Sequence, residues 1–109
     1  MELTISGDSA APFVRLDSRT LVLCNGPSAV AFSLSSSGRF VEETLMIVLD
    51  EGRATRTQGE RVFGGFREAD SERVTIYGGT RDDLVVVVLA AAELERLQQA
   101  VTETLHHQH

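Results

Sequence analysis

Leu84-Val85-Val86-Val87-Val88-Leu89 runs straight into Ala90-Ala91-Ala92-Glu93-Leu94-Glu95-Arg96-Leu97. The hydrophobic period changes inside that stretch, and the change decides the fold. Six consecutive Leu and Val residues read as a strand, because branched side chains pack well on a pleated surface. Beyond Ala90 the apolar residues Leu94, Leu97, Val101 and Leu105 fall at i, i+3, i+7 and i+11, one stripe of a helix. Glu93 sits in the first turn, where a negative charge suits the helix dipole. A helix of this length is marginal alone and must dock its stripe on a sheet.

Upstream the chain reads as short β-type segments. Leu3 and Ile5 alternate with Thr4 and Ser6, a period of two, until Gly7-Asp8-Ser9 breaks the segment. Phe13 to Leu16 and Thr20 to Cys24 follow. Asn25-Gly26-Pro27 is a turn signal, and Val30, Phe32 and Leu34 then alternate with Ala31, Ser33 and Ser35. Ser35-Ser36-Ser37-Gly38 reads as a loop. Thr44 to Leu49 is apolar on both faces and reads as a central strand, with Asp50-Glu51-Gly52 as a hairpin connection into Arg53 to Thr57. Arg61 to Phe66, interrupted by Gly64-Gly65, and Arg73 to Tyr77, closed by Gly78-Gly79, are two further strands. Leu84 to Leu89 is expected in a sheet interior with both faces covered.

These readings predict a mainly β, α+β domain. It would be an antiparallel β-sandwich or partly open barrel closed by one C-terminal helix. The 109 residues suit a single domain, 1–109, with a β-rich body over 2–89, a helix over 91–105 and a tail over 106–109.

The chemistry is restricted. The chain has no lysine, and its three histidines lie at 106, 107 and 109. The body therefore lacks the usual neutral-pH acid–base group, the Schiff-base lysine, the P-loop lysine and a His-ligated metal site. The expectation is a non-catalytic protein with no cofactor and no metal. A carboxylate-only enzyme is an alternative. Net charge is −6. That balance disfavours nucleic-acid phosphates and anionic membranes, and it suits a basic protein partner. The N-terminus shows no signal-peptide pattern and no apolar run spans a membrane, so a bacterial cytoplasmic protein is expected. The all-arginine basic set fits a GC-rich coding bias. Cys24 is alone and reads as a buried thiol. The histidine tail reads as a disordered end or a weak nickel or zinc binder. The oligomeric state is open.

Candidate partner-binding residues are the acidic pairs Glu42-Glu43 and Asp82-Asp83, expected to flank turns as Asp50-Glu51 does, and Phe63 and Phe66 beside the glycine doublet. The run Glu43 to Gly52, then Val62-Phe63-Gly64-Gly65-Phe66, then Leu84 to Leu97, resembles the small immunity proteins of bacterial polymorphic toxin systems. One such group has an aromatic-Gly-Gly turn after a strand and a closing helix. The resemblance implies an acidic cytosolic protein that acts by covering a toxin. Arg15 and Arg19, followed by Ser33-Leu34-Ser35-Ser36-Ser37-Gly38, resemble the PilZ domain. That likeness implies a cyclic-dinucleotide sensor in which Arg15, Arg19, Ser35 and Gly38 touch the ligand. Ser33 stands where that family has Asp or Asn, and the two motifs lie closer together than is usual there.

Overall fold

The computed structural model describes residues 2–7, 12–68 and 71–106, with Glu2 placed by its backbone alone. The order is β1 (Glu2–Ser6), β2 (Pro12–Asp17), β3 (Thr20–Asn25), β4 (Ser28–Ser33), α1 (Leu34–Glu51), β5 (Arg53–Gln58), β6 (Arg61–Arg67), β7 (Arg73–Thr80), β8 (Asp83–Ala90) and α2 (Ala91–His106). The class is mainly β, α+β. Two four-stranded antiparallel sheets, β1-β2-β3-β4 and β5-β6-β7-β8, are each a simple meander. They do not close into a barrel, and α2 is the expected C-terminal helix.

The second helix corrects the sequence reading. Ser35 to Gly38 is not a loop, and Thr44 to Leu49 is not a strand; both lie in α1. In the longer frame the buried residues Leu34, Gly38, Val41, Leu45 and Val48 recur every three or four positions. Three serines and a glycine in the first turns are poor helix formers and hide that stripe. They are accommodated because the site is packed: a Cβ on Gly38 would meet the Leu105 side chain of α2. Gly52 ends the helix at φ 88, a left-handed conformation that favours glycine, and its N–H donates to the Val48 carbonyl.

The chain is thus a tandem of one plan, four strands and then a helix. Both copies close in the same way. The first helical amide, Leu34 N–H, donates to Arg19 O (2.7 Å), just before β3; Ala91 N–H donates to Glu72 O (2.6 Å), just before β7. The halves then interlock. α1 lies over β5 and β6 of the second sheet, and α2 touches β1 and β2 of the first sheet as well as β7 and β8 of its own. The body and helix expected over 2–89 and 91–105 therefore form one core.

That core joins Val14, Leu16, Leu21 and Leu23 of the first sheet to Ile76, Val87 and Leu89 of the second, with Val41, Leu45, Leu94, Leu97 and Val101 from the helices. Phe32, Phe40 and Phe63 meet at its centre. The Phe32 and Phe63 rings stand edge to face at 5.3 Å. Gly78 is needed there, since a Cβ would meet Phe32 and Leu23 at 2.8–3.1 Å. The glycine doublets are neither bulges nor turns. Gly64-Gly65 lies within β6 and Gly78-Gly79 within β7, which runs on to Thr80.

β8 is at the edge of its sheet and not in the interior. Val85, Val87 and Leu89 face the core, while Leu84, Val86 and Val88 face outward. The exposed edges of β4 and β8 are blunted alike. Arg61 donates a hydrogen bond to the Ala31 carbonyl of β4, and Asn25 Nδ2 donates to the Val86 carbonyl of β8 at 3.0 Å.

Candidate functional site

The helical layer is where charge gathers. α1 carries Glu42, Glu43, Asp50 and Glu51 against Arg39. α2 carries Glu93, Glu95 and Glu103 against Arg96. Seven carboxylates face two arginines, so the helices hold five of the six net negative charges of the chain. The exposed stripe of α1 is Arg39, Glu43, Met46 and Asp50; that of α2 includes Glu95, Gln99 and Glu103. Met46, 46% exposed, is the large apolar side chain in this acidic surface.

The helices run in opposite directions, as two contacts show. Gly38 lies under Leu105, and further along Glu42 meets Thr102. Asp50-Glu51 and Glu93-Glu95 therefore point to the same end of the layer. Glu42 is half-buried and occupied. Gln98 Nε2 donates to Thr102 Oγ1 (2.8 Å), which donates to a Glu42 carboxylate oxygen (2.7 Å). This relay ties α2 to α1. Glu43 projects outward and pairs with Arg56 of β5 at 2.8 Å. The Arg56 hydrogen bond, then its charge and that of Arg39, hold the Glu43 carboxyl below its ordinary pKa.

The structure separates the residues singled out from sequence. Glu42 and Glu43 are in the middle of α1 and not beside a turn; Asp50 and Glu51 form its last turn. Asp82 is in the β7–β8 turn and Asp83 begins β8, both exposed. Phe63 is fully buried and offers no contact surface. Phe66 is half-buried on the outer face of the second sheet, where it lines a shallow hollow with Arg53 and Tyr77. The aromatic-Gly-Gly segment is the middle of a strand rather than a turn.

The four nucleotide-binding candidates do not line one cleft. Arg15 is on β2 and pairs with Asp17 at 3.3 Å. Arg19 lies in the β2–β3 turn, with its Nε enclosed and lacking a hydrogen-bond partner. Ser35 and Gly38 are in α1 and line a cleft with Arg39, Gln58, Leu105 and His106, and neither Arg15 nor Arg19 reaches it. Cys24 is half-buried on the outer face of the first sheet, so it is not the enclosed thiol expected. The tail residues 107–109 lie outside the described residues.

Sequence reasoning missed Asp50, Glu51, Glu93, Glu95 and Met46 as one surface. The available signal was the excess of carboxylates over arginines in two helical segments, visible only once α1 is read as a helix. Among the described residues no His, Cys, Asp or Glu side chains cluster in a way that could hold a metal ion, and no helix is long and apolar enough to cross a membrane. No family model matches the chain, and no curated protein sequence is similar enough to count as a relative.

Proposed function

We propose that this protein is a non-catalytic binding module of the inhibitor or immunity type, which covers a basic surface on a partner protein with its two-helix layer. The observation that carries the reading is the segregation of charge onto α1 and α2. The carboxylates are spread along the chain, seven of sixteen on the helices, but only two of the ten arginines lie there, whereas a surface built for solubility alone would intersperse both signs. Here one face holds most of the net charge and sets Met46 among carboxylates, an apolar anchor inside a charged ring. The absence of lysine, and of histidine before residue 106, supports a role without acid–base chemistry. A face of this kind steers a basic partner to itself and raises the association rate more than the lifetime of the complex.

The test is kinetic. The product of the gene next to this one is immobilised, and association is followed by surface plasmon resonance at low and high salt. A salt-weakened on-rate, together with a faster off-rate in Met46→Ala, supports the helical face. Salt-independent binding, or no binding to that product, rejects the reading.

A further inference from the structure

The second sheet has an outer face that its sequence does not treat as solvent-exposed. The register sets its outward rows: Arg53, Phe66, Thr75 and Val88; then Thr55, Gly64, Tyr77 and Val86; then Thr57, Val62, Gly79 and Leu84. Leu84 is 41% and Val86 40% exposed, and Val88, Phe66 and Tyr77 are half-buried beside them. The topologically equivalent strand of the first half makes the contrast. β4 turns Ala29, Ala31 and Ser33 outward, and its sheet also exposes Arg15 and Asp17 as an ion pair. That is the ordinary alternation of a half-solvated strand. β8 has lost it: Leu84 to Leu89 is apolar at every position, the pattern of a strand covered on both sides.

Charge narrows the occupant. Among the described residues the outward strand positions of β5 to β8 carry Arg53 and Arg73 and no carboxylate; Glu68, just past β6, borders the face beside Arg73. α1 lies on the opposite face of this sheet, so the acidic helices point away from it. Two copies of a chain with net charge −6 repel wherever their acidic surfaces meet. This face is where they can approach without doing so. Four strands about 4.8 Å apart and on average about 23 Å long give a face of roughly 450 Å² in plan. That is below the about 800 Å² per partner of a standard interface and suits a weak, concentration-dependent dimer.

We propose that the outer face of the β5–β8 sheet is a self-association surface, on which a second copy of this chain packs sheet to sheet about a two-fold axis. Such an interface needs one self-complementary patch. With the axis across the strands, the row at Val88 meets the row at Leu84, Val86 lies near the centre, and the row of Arg73 and Ala90 approaches the other copy's β7–β8 turn, with its Arg81 and Asp82. This surface is separate from the helical layer, so the partner reading and the dimer stand or fall independently.

The full chain is studied by sedimentation velocity from micromolar to millimolar concentration. The expected result is a concentration-dependent dimer, a twofold rise in weight-average mass. Val86→Asp should sediment as a monomer, and the milder Val86→Thr should weaken the dimer about tenfold or more. Circular dichroism and thermal melting confirm that each remains folded. Ala29→Asp, on the equivalent face of the first sheet, should dimerise like the wild type. A wild type that stays monomeric throughout overturns the proposal. Dimerisation that survives Val86→Asp in folded protein also overturns it.

Discussion

Leu97 is fully buried in the stripe by which α2 joins both sheets. Truncating it to alanine removes transfer energy and leaves a cavity that the neighbouring strands cannot fill, so Leu97→Ala should destabilise by about 2–5 kcal/mol in urea unfolding. A change below about 0.5 kcal/mol would mean that the helix does not dock there. Thr102 tests a different force. Its hydroxyl links Gln98 to the Glu42 carboxylate between the helices. Thr102→Val keeps the shape and removes the donor, and should cost about 1.5–3 kcal/mol, the range for a hydrogen bond to a charged group. Glu43 gives the pH-dependent case. Its folded pKa is depressed, first by the Arg56 hydrogen bond, so its ion pair contributes above the unfolded pKa and is lost as pH falls through the lower folded one. In Arg56→Ala the Glu43 titration should return upward to the ordinary carboxylate range. Carbon-detected NMR titration of the carboxyl reads this directly, and an unchanged midpoint would remove Arg56 as the cause.

At the scale of elements, β8 and α1 mark what the sequence made legible. The change of period at Ala90 located α2, because Leu94, Leu97 and Val101 lie on one face without competing signals. The alternations in β1 to β4 were legible for the same reason. α1 was not: its first turns are Ser-Ser-Ser-Gly, and a helix tolerates them only because Leu105, a residue far along the chain, packs on Gly38. That contact is tertiary and no local pattern contains it. Losing α1 also lost the acidic site, since Glu42 to Glu51 resolves into an outward stripe only on a helix. β8 failed differently. Its composition asks for two covered faces, and the chain alone covers one. Its edge gives a sharp prediction. A residue's N–H and C=O point to the same side of a strand. The Val86 carbonyl takes its hydrogen bond from Asn25, so Val86 faces away from β7, as do Leu84 and Val88. Hydrogen exchange should therefore alternate, slow at Val85, Val87 and Leu89 and faster at Leu84, Val86 and Val88. Packing on the outer face leaves that alternation intact, because it covers side chains and not the edge. Uniform protection of all six amides would mean that another strand has added to the edge.

For the whole molecule, the two halves share a plan but divide the surface between them by chemistry. The helices carry five of the six net negative charges, and the outward strand positions of the second sheet carry two arginines, threonines and apolar groups. Steering by such a dipolar surface depends on where a charge sits and not only on how many there are. Reversing Asp50, Glu51 and Glu95 to Arg changes net charge by six units on the helical layer. Reversing Asp82 and Asp83 changes it by four at the β7–β8 turn. If only net charge mattered, the two variants would slow association with a basic partner in rough proportion, about three to two on a logarithmic scale. A partner docking on the helices makes the first variant far more severe, about tenfold or more in on-rate, with a smaller change in off-rate. The Asp82 and Asp83 variant should then lose only a fewfold. Raising salt should erase most of the difference, because charges farther apart than about 8 Å are screened at physiological ionic strength. Stopped-flow association at two salt concentrations measures all four rates. Equal slowing by the two variants would assign the effect to net charge and take the binding face away from α1 and α2.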